Sequence, residues 1–192
     1  MDWIKKTVDN ALKEMSKEKI RMMVPGDIPP EMLDDTIEPM DDWRGWRPID
    51  SIVIDTDIEI FEKQIGMKLP TSYREYLKYK HFYHLRLPDS SVNLFSHPPD
   101  KTLTILRTNI FQYHEPKLII GRNYIYIADF HDYGLLCFDG NAKKVDNEFK
   151  VVYIDHENLD EIHTYADSFR DLLQADSEKG NDFIDKLNEL YK

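Results

Sequence analysis

Apolar residues recur at helical spacing in the first half of the chain, most clearly on either side of one glycine. Ile58, Phe61 and Ile65 stand at i, i+3 and i+7, which predicts the buried stripe of a helix. Gly66 then suits the left-handed residue at which a helix ends, and Pro70 suits the first turn of the next helix because it has no N–H to leave unpaired. The segment is therefore predicted to form two helices joined by a kink.

Both of these predicted helices have an apolar face. Thr56 and Glu59 match a capping box, in which each side chain accepts a hydrogen bond from the other residue's backbone N–H. The first helix is therefore predicted to begin at Thr56. In the second helix, Tyr73, Tyr76 and Leu77 keep the spacing of three and four, so both helices are expected to pack on one core.

Another helix is predicted over residues 2 to about 22. Ile4, Val8, Leu12 and Met15 form a narrow apolar stripe in this segment, and the prolines of PGDIPP end it. A narrow stripe fits a helix packed on the outside of a domain. It also fits a detachable helix that binds a partner.

The middle of the chain, from about residue 82 to 154, consists of short β-like runs separated by turn residues. The runs follow one another without intervening helices, so neighbouring strands are expected to pair antiparallel. The predicted strands are FYHLRL, VNLFSH, TLTILR, KLIIG, YIYIADF, YGLLCFD and KVVYID.

Two helices are predicted after these strands. The first covers residues 158 to 175, and the second covers 178 to 191 with Phe183, Leu187 and Leu190 as its apolar face. An antiparallel sheet flanked by helices from both ends of the chain is an α+β fold. The predicted buried face of the first helix comprises Ile162, Tyr165, Phe169, Leu172 and Leu173.

Length and composition indicate one ordinary globular domain. The chain has 192 residues, enough to bury a self-sufficient core. Its single cysteine, Cys137, excludes an internal disulfide framework and lies in an apolar run where a buried, inert thiol is expected. The sequence has neither an apolar run of membrane-spanning length nor an N-terminal secretory signal, so we expect a cytoplasmic protein.

The charge of the chain bears on its partners. The 36 acidic and 25 basic residues leave a formal net charge of −11. Such a charge repels nucleic acid phosphates and anionic lipid and favours basic protein partners, although solubility alone would also account for it. We therefore expect a basic protein partner, and neither nucleic acid nor a membrane.

One segment combines acidic residues with two tryptophans, Trp43 and Trp46. Exposed aromatics beside carboxylates would form a recognition patch for arginines. Alternatively, both tryptophans belong to the core and the acids are only solvated. The acidic residues of this segment are Asp34, Asp35, Glu38, Asp41 and Asp42.

Common catalytic templates are absent from the sequence: it contains no G-x-x-x-x-G-K-[ST], G-x-G-x-x-G, H-E-x-x-H or G-x-S-x-G motif. Aspartates and histidines near the predicted strand ends are the best catalytic candidates, because imidazole and carboxylate bind metals or transfer protons. Such residues are also ordinary turn formers. The set comprises Asp129, His131, Asp132, Asp139, Asp155 and His156.

A further histidine pair, His81 and His84, would share one face only in a helix, where both side chains could ligate a metal. No third ligand is evident nearby. We therefore predict no catalytic residue, no metal ligand and no cofactor.

The sequence FEKQIGMKLPTSYREYL resembles the signature F-E-x-x-x-G-x-x-L-P-x-x-[YF]-x-x-[FY]-[LI] of the SUKH superfamily, the Smi/Knr-type domains. The upstream Trp46-Arg47-Pro48 and the later residues Ser168, Phe169, Leu172 and Leu173 also fit this family. The resemblance implies a SUKH-like domain over residues 43–175. Residues 1–42 then form an N-terminal helical extension without a counterpart in the minimal domain, and residues 176–192 form a C-terminal helix packed on the domain.

The resemblance implies protein binding rather than catalysis. Many bacterial members of the superfamily are immunity proteins that neutralise polymorphic toxins, often nucleases, whereas eukaryotic relatives regulate cell-wall synthesis. We expect an immunity protein that binds a basic toxin domain, with a regulatory scaffold as the alternative. The predicted contacts are Asp34, Asp35, Glu38, Asp41, Asp42, Trp43, Asp129, Asp132 and Asp139.

Overall fold

The computed structural model describes residues 2–99, 102–113, 115–131 and 134–190. The chain is divided between two units. The first consists of residues 1–85 and 96–107, and the second of residues 86–95 and 108–192.

Helices and short strand pairs build the first unit. Strand β1 pairs antiparallel with β2, and β3 pairs antiparallel with β4. A 3-10 turn, Lys19–Met22, precedes β1. The elements are α1 (Asp2–Met15), β1 (Met23–Pro25), β2 (Trp43–Gly45), β3 (Ile49–Asp50), α2 (Asp55–Ile65), α3 (Thr71–Leu77), β4 (Lys80–His81) and α4 (Thr102–Thr108), the last residue of which belongs to the second unit.

Helix α1 is packed on its own unit. The predicted stripe is buried, with Ile4 and Val8 each 1% exposed. The helix lies against α3, and the Tyr79 hydroxyl donates to the Asp9 carboxylate at 2.8 Å. The structure therefore agrees with a packed helix and not with a detachable one. The helix ends at Met15, earlier than predicted.

The kink between α2 and α3 is confirmed. Gly66 has a φ of +71°, in the left-handed region, and its N–H donates to the Glu62 carbonyl. The Glu62 side chain is buried and accepts from the Leu69 N–H at 2.9 Å, from Lys68 Nζ at 2.7 Å and from Arg74 Nη1 at 3.0 Å. This carboxylate therefore ties the end of α2 to the linker and to α3.

The predicted capping box of Thr56 and Glu59 is wrong. Helix α2 begins at Asp55, and the Asp57 carboxylate accepts from the Ile54 N–H at 3.1 Å. Thr56 therefore lies inside the first turn. Asp55 and Asp57 place negative charge at the helix N-terminus, where the helix dipole favours it.

The second unit contains the main sheet. Within the described residues, five strands run in the order β5-β6-β7-β8-β9, and every neighbouring pair is antiparallel. The α+β class and the antiparallel sheet are confirmed. The elements are β5 (Val92–Leu94), β6 (Tyr124–Phe130), β7 (Gly134–Asp139), β8 (Val151–Asp155), β9 (Ile162–Ala166), α5 (Phe169–Leu173) and α6 (Ser177–Leu190).

An aromatic cluster packs α6 on this sheet. The Phe183 ring lies 5.5 Å from Phe130, 5.5 Å from Tyr153 and 5.0 Å from Tyr165, centroid to centroid. These edge-to-face ring contacts position α6 beside β9.

Cys137 in the central strand is fully buried, as predicted, and burial raises the pKa of its thiol.

Three of the predicted strands are wrong. FYHLRL makes only isolated β-bridges, at Phe82 and Arg86. TLTILR lies in α4, where Leu106 is buried, and the π-helical segment Asn109–Tyr113 that follows buries Ile110 four residues later, at helical spacing. KLIIG forms 3-10 turns, Pro116–Leu118 and Ile120–Arg122. The β-branched content that suggested strands is overridden by packing.

The helix predicted over residues 158 to 175 is also wrong. Its first half is strand β9, and only Phe169–Leu173 is helical. Ile162 and Tyr165 are three residues apart and fit a helical pattern, but pairing with β8 selects the strand. The Ser168 side chain caps α5 by accepting from the Asp171 N–H.

Candidate functional site

A tight turn in the first unit presents apolar and acidic side chains together. We call residues 38–43 the acidic tip. The Met40 N–H donates to the Trp43 carbonyl at 3.2 Å, and the Trp43 N–H donates to the Met40 carbonyl at 2.9 Å. Asp41 has a φ of +53°, which aspartate tolerates better than most residues. Met40 is 50% and Trp43 37% exposed, and the side chains of Glu38, Asp41 and Asp42 are exposed around them.

Backbone and packing contacts hold the acidic tip in place. The Asp34 N–H donates to the Gly45 carbonyl at 2.9 Å, and Ile37 is buried against Gly45, where an added Cβ would lie 2.5 Å from the Ile37 Cβ. Arg44 Nη1 donates to the carbonyls of Asp41 and Trp43, at 2.9 and 3.0 Å. The exposed side chains are therefore mounted on an ordered turn.

The remaining members of the predicted acidic and tryptophan patch have different surroundings. Trp46 is fully buried, so only Trp43 is available at the surface. The Asp34 carboxylate accepts from the Thr36 hydroxyl at 2.7 Å and from the Thr36 N–H at 3.0 Å, and the hydroxyl bond is the main cause that lowers the pKa of Asp34. Asp35 is exposed.

The predicted contacts in the second unit lie far apart. Asp129 is opposite Leu135 on the β6–β7 pair, whereas Asp139 is opposite Tyr124 at the other end. Five residues of strand separate the two positions, which is roughly 17 Å. Asp132 lies outside the described residues. Within this unit, Asp129 and Asp139 therefore do not share one patch.

The strand-end aspartates are engaged in local structure. The Asp129 carboxylate accepts from the Tyr126 hydroxyl, and the Asp139 carboxylate accepts from the Asn141 N–H at 2.8 Å. Asp155 lies opposite Gly134, and its carboxylate accepts from the N–H groups of Glu157 and Asn158. The carboxylates of Asp139 and Asp155 act as turn formers, whereas that of Asp129 binds a tyrosine of its own strand.

The two histidines of the same set lie at one end of the sheet, His131 after β6 and His156 after β8, with β7 between these strands. The His131 N–H donates to the Ser91 carbonyl at 2.8 Å, and His156 is exposed in the turn after β8. Asp139 stands at the opposite end of the sheet. In the part of the chain that the structure describes, no three His, Cys, Asp or Glu side chains are placed to hold a metal ion.

His81 is a core residue of the first unit. Its Nε2 accepts from the Ile52 N–H at 3.0 Å, so its Nδ1 carries the proton and donates to the His97 carbonyl at 2.9 Å. His97 Nε2 lies 2.8 Å from the Leu77 carbonyl, and burial lowers the pKa of His97 to about 3. His84, in contrast, is exposed. His81 and His84 thus do not form a ligand pair.

Neither Met40 nor a groove beside β9 was predicted from the sequence. Met40 stands between Pro39 and an aspartate pair, and an apolar residue in such a turn was the available signal. The groove is lined by α6 and by β9, which was predicted as helix. Because the spacing of apolar residues predicted a helix at β9, the groove could not be predicted.

The chain matches the model of the SMI1 / KNR4 family (SUKH-1) over residues 53–175. The α+β fold, with its antiparallel sheet and flanking helices, agrees with this match. The chain belongs to the SMI1 / KNR4 family. No curated protein matches it.

The matched region contains the α2–α3 kink, the whole five-stranded sheet that the described residues form, and α5. Helix α1 and the acidic tip precede it. None of the helices in the described ranges is long and apolar enough to cross a membrane.

Proposed function

We propose that this protein is an immunity protein that binds a basic toxin domain and neutralises it without catalysing a reaction. One observation carries the proposal: in a chain of the SMI1 / KNR4 family, Trp43 and Met40 are exposed on an ordered turn among exposed carboxylates. Tryptophan is enriched among the residues that contribute most to protein interfaces. The acidic tip therefore combines exposed apolar side chains with surrounding charge, as protein-binding sites do.

Charge supports a basic partner. Among the described residues, Glu38, Asp41 and Asp42 have no ion-pair partner, so their carboxylates are available to lysine or arginine. The net charge of −11 would accelerate encounter with a basic protein and make it sensitive to salt. A basic nuclease cleft would be covered in competition with nucleic acid.

The absence of catalysis is part of the proposal. The aspartates nearest to a catalytic arrangement accept hydrogen bonds from nearby turn amides or from a tyrosine hydroxyl. Binding alone then accounts for the function, and no cofactor is required.

The test is rescue of cells that express the toxin domain encoded beside this gene. We expect the wild-type chain to restore growth, and both Trp43→Ala and the double variant Asp41→Lys with Asp42→Lys to restore it poorly. Glu59→Lys is the control, because Glu59 is exposed on α2 and its substitution changes the charge by the same amount as each single aspartate substitution, away from the acidic tip. It should rescue fully.

Two results would contradict the proposal. Failure of the wild-type chain to rescue, or the absence of a toxin gene beside its own, would favour a regulatory scaffold. Full rescue by the acidic tip variants would show that another surface binds the toxin.

A further inference from the structure

Strand β9 forms one edge of the main sheet. It pairs with β8 on one side, and among the described residues no strand pairs with its other side. Natural edge strands are commonly protected by lysine or proline. The sequence of β9, Ile-His-Thr-Tyr-Ala, contains neither.

The hydrogen-bond register shows which backbone groups face outward. The Asp155 N–H donates to the Glu161 carbonyl at 3.2 Å, and Ile154 is opposite Ile162. In an antiparallel ladder this makes Ile154 and Ile162 a non-hydrogen-bonded pair. The backbone groups of Ile162 and Thr164 therefore point away from β8, whereas those of His163 point toward it.

The side of Thr164 is open at the surface. Thr164 is exposed, and a groove of about 870 Å³ runs between it and α6. A second groove of about 560 Å³ continues along Thr164 toward α5. Tyr165, Phe183 and Leu187 give the first groove an apolar base. An added strand would place alternate side chains over this base.

The lining of the two grooves is acidic. Its cations are Lys179 and Lys186, and Lys179 Nζ lies over the Tyr165 ring at 5.1 Å. Of the carboxylates, Asp167 is paired with Lys150 at 3.2 Å. The lining carboxylates are Asp167, Asp171, Asp176, Glu178, Asp182 and Glu189.

We propose that the β9 edge and its flanking grooves bind an extended segment of a protein that carries lysine or arginine, which pairs with β9 as a sixth strand. Strand addition supplies main-chain hydrogen bonds, and the grooves select alternate side chains. The inference does not depend on the partner being a toxin. A second copy of this chain is disfavoured as the occupant, because two acidic grooves would face each other.

The experiment uses the purified full chain and a displayed library of random twelve-residue peptides. We expect selected peptides to combine basic with β-branched or aromatic residues. Their binding is then measured by fluorescence anisotropy against Thr164→Pro and Thr164→Val. Proline removes the outward N–H and obstructs pairing, so affinity should fall by at least about tenfold, whereas valine keeps the N–H and should stay within about twofold.

Amide hydrogen exchange of the wild-type chain provides a second measurement that requires no variant to fold. The N–H groups of Ile162 and Thr164 should exchange quickly in the free protein and slowly with peptide bound. The His163 N–H should be protected in both states. Binding should survive Trp43→Ala, which separates this site from the acidic tip.

Three outcomes would overturn the proposal. The library yields no peptide, the selected peptides bind Thr164→Pro as well as wild type without protecting the Ile162 and Thr164 amides, or sedimentation shows a dimer of the wild-type chain that Thr164→Pro abolishes.

Discussion

Two regions of the first unit use carboxylates in opposite ways. At the α2–α3 kink, Glu62 is buried with Arg74 and Lys68, and Asp55 is paired with Arg74 and Lys78. At the acidic tip, in contrast, the carboxylates of Asp41 and Asp42 are exposed, and no ion pair to them occurs within the described residues. The kink uses charge to hold the fold, and the acidic tip presents charge to solvent.

Net charge alone therefore does not locate a binding surface. Acidic residues in both regions contribute to the total of −11, but those of the kink already have cationic partners. Neutralising a carboxylate should therefore reduce stability at the kink and leave it almost unchanged at the acidic tip. The following predictions test that difference.

The largest effect is expected from Glu62→Ala. Removing one partner of a buried ion pair leaves the others without compensation, so the free energy of unfolding should fall by about 3 kcal/mol. Urea unfolding measures the change. Glu62→Gln keeps an acceptor and should lose less, and Glu59→Gln on the exposed face of α2 should change stability by less than about 0.5 kcal/mol. Equal effects at positions 59 and 62 would show that the buried Glu62 carboxylate stabilises the fold no more than an exposed one.

Lowering the pH should reduce the free energy of unfolding through His97, whose ring contacts the carbonyl of Leu77 at the end of α3. His97 donates to the Leu77 carbonyl and has a pKa of about 3 in the folded protein, below the ordinary unfolded value of about 6.5. The unfolded chain therefore binds more protons between these values, so stability rises with pH across this window. At pH 5 the loss relative to pH 7 should be about 2 kcal/mol.

The measurement is the free energy of unfolding from pH 7 to pH 5, for wild type and His97→Gln. The difference between the two proteins isolates the histidine from the carboxylates. Parallel pH profiles would contradict the assignment of His97 as a neutral buried donor.

Gly45→Ala tests how firmly the acidic tip is anchored. The new Cβ would lie 2.5 Å from the Ile37 Cβ and 2.8 Å from the Asp34 carbonyl oxygen, so overpacking should cost about 1–3 kcal/mol. Thermal or urea unfolding checks this. Gly121→Ala is the control, because its nearest neighbour would be 3.4 Å away. A neutral Gly45→Ala would mean that the turn is loosely held.

The smallest effects on stability are expected at the acidic tip itself. Asp41→Asn and Asp42→Asn neutralise exposed side chains and should each change the free energy of unfolding by less than about 0.5 kcal/mol. Urea unfolding of these variants gives the answer. A loss of more than about 1 kcal/mol at either aspartate would place that carboxylate in the fold rather than at a binding surface.

Residues whose environment is decided locally were predicted from the sequence. The left-handed Gly66, the buried faces of α2 and α3, and the strands at residues 124–130 and 151–155 all follow from spacing and turn chemistry. The same spacing identified the SUKH-like signature. The acidic and tryptophan segment was recognised as a candidate binding patch, but which of its residues are exposed was left open.

Tertiary structure decided everything that depends on a distant neighbour. TLTILR became a helix and residues 162–166 became a strand, because burial and pairing with β8 outweighed local preference. Packing and strand pairing also decided that Trp46 is buried and Trp43 is at the surface, and that Asp129 and Asp139 lie at opposite ends of a strand pair. The periodicity of apolar residues predicts which side chains share one face of a helix or strand. Only packing and strand register determine which residues, or solvent, that face contacts.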